Sequence, residues 1–198
     1  APPGFTRIEF VGEQNVGLVT GTWPVHGVTS ARDQAALEIL AKVLELRVRA
    51  EVRERLGFAY SPSARLEMFE GFPGFALLQA RIDCSPQDAG RIAPVLADLG
   101  ARLAAGGVSP GEFIGARGIL RGQLRQAFRD PAFLVALLMR AQERPGEADD
   151  AVALHGGLVG HVPLEEVNRW AGRVLPAANG RTAAVVPKAF VGILQAPR

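Results

Sequence analysis

Side chains that commonly carry catalysis or bind metals are scarce in this sequence. Its 198 residues include one cysteine and three histidines. The single cysteine, Cys84, excludes an intrachain disulfide, and its place on the apolar face of a predicted strand is typical of an unreactive thiol. No H-E-x-x-H or H-x-x-E-H zinc motif, G-x-S-x-G elbow, P-loop or dinucleotide fingerprint is present. The chain therefore supplies neither a recognisable nucleophile nor a metal-bound water.

The best remaining metal candidate combines His161 with Glu165 and Glu166. A helix predicted to begin at Pro163 separates the histidine from the two carboxylates. The three side chains would then lack the preset geometry of a zinc site. We therefore expect no metal and no other cofactor in this chain.

Strong net charge and long apolar segments are also missing. Lys and Arg number 22 against 20 Asp and Glu, and the resulting net charge of +2 is too small to indicate a nucleic-acid partner. The longest apolar run, 132–139, is far shorter than the ~18 residues that span a membrane. What is present is an ordinary globular composition with 48% hydrophobic residues, which excludes a disordered chain.

The chain begins without an initiator methionine or a signal-peptide pattern. Its first residues, A-P-P-G, resemble an interdomain linker. We expect residues 1–198 to form a single domain cut from a longer chain, and the Ala-, Arg- and Gly-rich composition suggests a bacterial source. Because targeting signals could lie outside this fragment, both the bacterial periplasm and the cytoplasm stay open as compartments.

The first half of the chain alternates between strand and helix patterns. Period-2 alternation predicts strands, apolar residues at steps of three or four predict helices, and Ser30 with Asp33 resembles a capping box. The predicted elements are strands at 6–10 and 16–23 around a turn at 12–15, a loop at 24–29, a helix from 30 to about 56, and strands at 58–67 and 75–84 that form an antiparallel hairpin.

Helices dominate the second half. Ser-Pro and Asp-Pro pairs predict helix starts at 85 and 130, and Ser109 with Glu112 forms a full capping box. The further predicted elements are a polar loop at 143–150, a short helix at 151–159 broken by two glycines, a helix at 163–175, a strand at 182–186, and an edge strand or tail at 190–194. This order predicts an α+β fold, with helices packed on one face of an antiparallel-rich sheet.

Glycines recur at steps of three or four in the helix predicted after Ser109; they are Gly111, Gly115, Gly118 and Gly122. Each interior glycine costs ~1 kcal/mol of helix stability relative to alanine. Either another backbone packs very close to this stripe, or the helix is loose. The sequence does not separate these two interpretations.

One stretch joins the long helix to the next strand: A-E-V-R-E-R-L-G-F-A-Y-S at 50–61. Arg53 lies in the last helical turn and Tyr60 early in the strand, with Gly57 between them as a typical helix stop. A tight turn of this kind can bring two long donors to one carbonyl oxygen. Alternatively, Arg53 complements the helix dipole and Tyr60 is an ordinary half-buried strand residue. Residue types alone favour this second interpretation.

The run R-E-R-L-G-F-A-Y-S at 53–61 resembles the R-E-x-x-G-x-x-Y-S signature of the pitrilysin/insulinase family of zinc peptidases, the inverzincins. Residues 108–113 are similar to a helix start of that family, and 162–175 followed by 182–187 are similar to its closing helix and strand. The resemblance covers nearly the whole chain, and it is to the C-terminal domain, which binds no zinc. The order and spacing of the segments make it more specific than any one segment.

This resemblance implies a two-layer fold of the LuxS/mitochondrial-processing-peptidase-like metallohydrolase type. It also implies a partner, an N-terminal domain or paired subunit that carries zinc on H-x-x-E-H and encloses a chamber for a peptide substrate. In that family an Arg and a Tyr seven residues apart contact the peptide backbone near the scissile bond, and Arg53 and Tyr60 match this spacing. Two donors at a carbonyl that gains negative charge would stabilise the transition state.

Three functions are compatible with the sequence. The leading hypothesis is the substrate-binding second half of a zinc metalloendopeptidase, with no catalysis of its own. The alternative is a non-catalytic structural or partner-binding subunit of the same family, and the third is a plain α+β ligand-binding module. An H-x-x-E-H motif elsewhere in the full-length protein would distinguish the first two.

Overall fold

A mixed five-stranded sheet forms one layer of the computed structural model, which describes residues 4–11, 16–56, 62–69, 71–143 and 145–188. The strands in chain order are β1 Gly4–Phe10, β2 Gly17–His26, β3 Ser63–Met68, β4 Phe75–Cys84 and β5 Arg181–Pro187. Their spatial order is β1-β5-β2-β4-β3. β1 runs parallel to β5, and the other neighbouring pairs are antiparallel. The predicted α+β, antiparallel-rich architecture is confirmed.

Helices form the second layer, on one face of this sheet. They are α1 Ala31–Leu56, α2 Ala89–Gly106, α3 Pro110–Ala127, α4 Pro131–Glu143, α5 Pro145–Ala153, α6 Val159–His161 and α7 Leu164–Val174, with a π turn at Leu154–Leu158. In β2, β4 and β5 every second residue is buried under the helices, and the residues between them are at least partly exposed. Within the described ranges no single helix is long and apolar enough to cross a membrane. α2 and α3 pass that test only together, across a bend of 113°.

The central helix of the core is α1, which contacts β3, β4, α2, α3 and α7. Leu37, Leu40 and Leu44 on this helix are fully buried, and each contributes ~1.5–3 kcal/mol of hydrophobic stabilisation. The predicted cap is present, because the backbone N–H of Asp33 donates to Ser30 Oγ at 3.1 Å and the Ser30 hydroxyl donates to the Asp33 carboxylate at 2.8 Å. α1 therefore begins where the sequence predicts and carries its apolar residues inward.

The indole ring of Trp23 on β2 packs against glycines in three parts of the fold. A Cβ atom at Gly21, Gly100 or Gly180 would lie 2.9, 2.6 or 2.8 Å from the indole ring. These glycines belong to β2 itself, to α2 and to the turn before β5. The ring fills the space that side chains at the three positions would otherwise take.

The predicted end of β2 is wrong. The strand continues through Pro24 to His26, where a loop was expected. Pro24 is tolerated because the pairing of β5 with β2 ends at Thr22, so the proline removes no ladder bond on that side. β1 and β2 flank the predicted turn at 12–15 but do not pair, because β5 lies between them.

Two helix boundaries also differ from the sequence prediction. α2 begins at Ala89 rather than at 85, since residues 85–88 form a turn in which the Asp88 N–H donates to the Ser85 carbonyl at 2.9 Å. α5 occupies most of the predicted polar loop at 143–150 and packs mainly against α4. A helix with so little buried surface needs few apolar residues, which explains its polar sequence. The predicted strand start at 58 and the segment 190–194 lie outside the described residues.

The glycine stripe of α3 faces open space. Among the described residues, no heavy atom lies within 4 Å of a Cβ atom built at any of its four glycines. The opposite face of α3 buries Phe113, Ala116 and Leu120, and its first turn holds the predicted capping box of Ser109 and Glu112. Within the described part of the chain, no other backbone packs closely on these glycines.

Candidate functional site

The junction between α1 and β3 lies at one edge of the sheet. α1 extends to Leu56, so Arg53 is in its last turn as predicted, and β3 begins at Ser63. In the described part of the chain β3 pairs with β4 alone, which makes it an edge strand. The Arg53 side chain and the segment 57–61 with Tyr60 lie outside the described residues. Their shared contact with one carbonyl therefore stays a prediction.

A clamp centred on Arg47 fixes the half of α1 that leads into this junction. Arg47 Nε donates to Glu112 Oε1 at 2.6 Å, and Arg47 Nη2 donates to Glu112 Oε2 at 2.9 Å and to the Gly107 carbonyl at 2.8 Å. The guanidinium thus ties α1 to the end of α2 and to the first turn of α3. Arg53 follows six residues later, ~9 Å along the helix axis. The clamp anchors the part of α1 that precedes Arg53.

The carboxylate in the clamp is held ionised. The Arg47 hydrogen bonds lower the pKa of Glu112 to about 2, and hydrogen bonds from the Ser109 hydroxyl and N–H, at 2.6 and 3.0 Å, act in the same direction. Partial burial acts to raise the pKa of Glu112, but this effect is smaller than the combined effect of the hydrogen bonds. Charge-assisted hydrogen bonds of this kind are about twice as strong as neutral ones.

The metal candidate from the sequence does not assemble. Glu166 is buried, and its carboxylate accepts a hydrogen bond from Arg32 Nε at 2.8 Å and lies 3.4 Å from an Arg169 nitrogen. Throughout the described ranges there is no group of three or more His, Cys, Asp or Glu residues that could hold a metal ion. Burial, with smaller effects of Asp88 and Asp83, raises the pKa of the Cys84 thiol to about 11. Cys84 is therefore the buried, protonated thiol that its strand position predicts.

Sequence reasoning missed a groove of about 550 Å³ beside the edge strand. We call it the β3 groove; it lies between α1 and β3 on one side and α3, α4, α5 and the π turn on the other. Its lining residues are Gln34, Glu38, Arg65, Leu66, Glu67, Met68, Leu124, Phe128, Phe133, Leu137, Arg140, Asp150, Ala151 and Leu154. Aromatic and aliphatic side chains form one wall, and charged side chains lie on the α1 and β3 side and at the rim.

Glu38 is the most unusual residue of the β3 groove. Most of its side chain is enclosed by protein, although some surface faces the groove. Burial raises the pKa of Glu38 to about 7, and the nearby Lys42 opposes the shift only partly. The Lys42 ammonium binds the Glu45 carboxylate at 2.9 Å. Among the described residues the Glu38 carboxyl has no hydrogen-bond partner. The available signal was a charged residue inside the otherwise buried run 35–41, which an amphipathic-helix interpretation does not single out.

A second cavity, of about 510 Å³, opens beside β1. Phe5, Trp23, Pro94 and Thr182 line it together with glycines and alanines of α2 and of the turn before β5. None of the described residues that line it is charged, so the lining is mainly apolar.

Comparison with known proteins assigns the chain to a family. Residues 3–120 match the family described as the peptidase M16 inactive domain. The chain belongs to this family. The zinc-peptidase resemblance predicted from the sequence is thereby confirmed, and the matched M16 inactive domain lacks the catalytic zinc site. No curated protein sequence matches the chain.

Solved structures share the fold of this M16 inactive domain. An inactive peptidase domain from Bordetella parapertussis has 17% identity and a TM-score of 0.71, with 94% of this chain and 99% of that chain covered. The M16 inactive domain from Pseudomonas fluorescens has 15% identity and a TM-score of 0.71, with coverages of 93% and 43%. The periplasmic protease PqqL from Escherichia coli has 18% identity and a TM-score of 0.67, with coverages of 92% and 21%. The chain thus spans less than half the length of the last two proteins.

Proposed function

We propose that this M16 inactive domain is the second, substrate-binding half of a zinc metalloendopeptidase of the pitrilysin/insulinase type. The observation that carries the proposal is the family match over residues 3–120, which includes the α1–β3 junction with Arg53 and Tyr60. The partner would be an N-terminal zinc-binding domain or a paired subunit. Related proteins more than twice as long as this chain support such a second half. Their bacterial sources support the bacterial origin expected from the composition.

In this proposal the chain closes the chamber and holds the peptide. Zinc bound by the partner would supply the activated water that attacks the scissile bond. Arg53 and Tyr60 donate hydrogen bonds to a peptide carbonyl, where they stabilise the negative charge that develops in the transition state. The Arg47–Glu112 clamp supports this role, because a donor is effective only if its position is fixed before the reaction.

The test is a kinetic comparison in the complete enzyme. Arg53→Ala and Tyr60→Phe should each lower kcat/KM by ~10- to 1,000-fold, the range for loss of one charge-stabilising donor. The double variant should lose less than the product of the single losses, because both donors act on one oxygen. The matched control is Arg49→Ala, one helical turn earlier, whose guanidinium binds Glu45 at 2.9 Å. This control should change kcat/KM by less than ~2-fold, since exposed ion pairs contribute little.

Folding has to be measured beside the kinetics. Denaturant midpoints of Arg53→Ala and Tyr60→Phe should stay close to that of the unmodified protein. An assembled enzyme that keeps its full kcat/KM in both variants contradicts the proposed contact with substrate. That result would favour the alternative function, a non-catalytic structural or partner-binding subunit.

A further inference from the structure

A small pocket lies where the end of α7 and the turn after it meet the end of β2 and the start of β5. We call it the α7 pocket, and its volume is about 280 Å³. His26, Asn179 and the two arginines Arg173 and Arg181 contribute its polar side chains, and none of the described residues that line it is acidic. A concave site lined by charges of one sign focuses the electrostatic potential and attracts ions of the opposite sign.

Arg173 is held in this pocket without a carboxylate. It lies in the last turn of α7, and its guanidinium carbon is 5.0 Å from the centre of the Trp170 ring. A Cβ atom at Gly27, where φ is +78°, would lie 3.2 Å from Arg173 Nη2, so the glycine leaves room for the guanidinium. Within the described part of the chain, no hydrogen bond or ion pair engages this side chain. Its five N–H donors are therefore open to a ligand.

Arg181, the first residue of β5, uses only one of its guanidinium nitrogens. Arg181 Nη1 donates to the carbonyls of Gly180 at 2.9 Å and Ala178 at 3.3 Å, and these bonds fix the turn before β5. Arg181 Nε and Nη2 have no acceptor among the described residues, and the side chain has no acidic partner there. Two guanidinium groups of one pocket thus keep unused donors.

The dipole of α7 accounts for only part of this arrangement. A cation in the last turn of a helix complements the negative end of the helix dipole, and Arg173 is such a residue. Asn179 Nδ2 already donates to two carbonyls at this end, those of Arg173 at 3.0 Å and Val174 at 3.5 Å. Arg181 lies on a strand, and a second positive charge in the same pocket repels the first. A bound anion would offset this repulsion.

We propose that the α7 pocket binds a compact, doubly charged oxyanion of the phosphate type, with Arg173 and Arg181 as its main ligands and the His26 imidazole as a further donor. The planar guanidinium offers paired N–H donors that match the oxygens of phosphate. A charge of two balances both arginines. The volume of about 280 Å³ is just below the usual range of sites for drug-sized ligands, so the pocket suits a group of few atoms. That group is either inorganic phosphate or the phosphate of a larger molecule that extends into solvent.

The α7 pocket lies away from the α1–β3 junction. His26 at the end of β2 pairs with Phe75, whereas Ser63 at the start of β3 pairs with Arg81. The six residues of β4 from 75 to 81 separate these two levels, about 20 Å along the strand. Anion binding here needs neither zinc nor a bound peptide, so it is independent of the proposed function.

The experiment titrates the full chain with sodium phosphate by isothermal calorimetry at pH 7.5, in ~0.15 M sodium chloride to screen distant charges. Phosphate should bind with a Kd of ~1 mM or less. It should bind at least ~10-fold more tightly than acetate, which carries one charge and can satisfy only one guanidinium. Glucose 6-phosphate distinguishes the two sources of the group. Binding of the ester as tight as that of phosphate indicates a larger ligand, and weaker binding indicates the free anion.

Matched glutamine substitutions test the two arginines. Arg173→Gln and Arg181→Gln should each weaken phosphate binding at least ~10-fold, since each removes hydrogen bonds between charged groups. The control is Arg169→Gln, one turn earlier on α7, which removes the same charge from a side chain that lies 3.4 Å from Glu166. This control should change the Kd by less than ~3-fold, because solvent and salt screen an exposed charge outside the pocket. Thermal midpoints in phosphate-free buffer check that all three variants fold.

Nuclear magnetic resonance locates the bound anion in the unmodified chain. Phosphate should shift the backbone N–H signal of Gly27 and the indole N–H signal of Trp170, because both residues border the Arg173 guanidinium. The N–H signal of Gly115, on the open stripe of α3, should stay in place. Shifts confined to other parts of the chain would contradict the proposed location.

The proposal is overturned if phosphate does not bind, or if acetate binds as tightly. It is also overturned if either Arg173→Gln or Arg181→Gln keeps the affinity of the unmodified protein, or if Arg169→Gln weakens binding as much as they do. None of these results affects the kinetics of the Arg53 and Tyr60 variants, which test the proposed function separately.

Discussion

Three glutamates, at positions 38, 112 and 166, have different surroundings in the fold. Glu112 receives two bonds from Arg47 and two from Ser109, which hold it ionised. Glu166 is buried but neutralised by Arg32 and Arg169. Glu38 is enclosed without a hydrogen-bond partner in the described structure, and its pKa rises to about 7. The hydrogen-bond partners, rather than the residue type, decide whether a carboxylate here joins elements of the fold and whether it is held ionised.

The residue-scale prediction concerns Glu112→Gln. At pH 7 this change should lower the free energy of unfolding by ~1–2 kcal/mol, less than the full pKa shift would give because solvent screens a partly exposed group. The folded-state pKa of about 2 lies below the ordinary value of 4.5. The contribution of the charge is therefore complete above pH 4.5 and is lost as the pH falls towards 2. Urea midpoints of the unmodified protein and of Glu112→Gln should differ at pH 7 and 4.5, and the difference should become smaller at pH 2.5.

Asp83→Asn is the control for this series. Asp83 pairs with Arg81 at 2.9 Å, but both side chains are more than half exposed. The substitution should change stability by less than ~0.5 kcal/mol at every pH. A loss equal to that of Glu112→Gln would mean that the Arg47 clamp contributes no more than an ordinary surface pair.

Sequence patterns located Arg53 in the last turn of α1 but did not reveal Glu38. The position of Arg53 follows from local signals, an apolar stripe and a glycine stop, which need no knowledge of the rest of the fold. The importance of Glu38 depends on β3, α3, α4 and α5 closing around it, and those contacts are distant in the sequence. Local patterns carry no information about such an enclosure.

At the scale of elements, the same contrast separates correct from incorrect predictions. The bounds of β4 and the capping box of α3 were predicted correctly, since alternation over ten residues and a reciprocal cap are local signals. The position of β5 between β1 and β2 was not predicted, because no local pattern in the sequence indicates it. The helix α5 was missed because its stability depends on α4 rather than on an apolar face of its own.

The element-scale prediction compares the substitution of glycine by alanine in α3 and in α2. Gly115→Ala and Gly118→Ala in α3 should each raise the free energy of unfolding by ~0.5–1 kcal/mol, because the new methyl group meets open space and the unfolded chain loses freedom. Gly100→Ala in α2 should lower it by ~1–3 kcal/mol, because its Cβ would lie 2.6 Å from the Trp23 ring. Denaturant midpoints of the three variants measure both effects. Destabilisation by Gly115→Ala would indicate a close neighbour on the exposed stripe of α3.

At the scale of the whole molecule, we predict that the chain alone neither retains zinc nor cleaves peptides. The family match is to an inactive domain, and Glu166 is occupied by guanidinium groups. Elemental analysis after dialysis should therefore find less than ~0.1 zinc per chain, since metal affinity requires a preset ligand set. Casein hydrolysis by the purified chain should equal the buffer blank. Stoichiometric zinc that disappears in His155→Ala or His161→Ala would contradict this expectation.

The insertion of β5 between β1 and β2 has a consequence for the order in which the chain assembles. The β3–β4 hairpin joins strands that are near in sequence and can form early, whereas Gly4 pairs with Arg181. Closing so long a loop is entropically costly and slows folding. During synthesis on the ribosome, the edges of β1 and β2 that pair with β5 stay unpaired until β5 has been made. Until then Trp23 also lacks its contact at Gly180. The last described strand to be synthesised is therefore the one that joins β1 to the other three strands of the sheet.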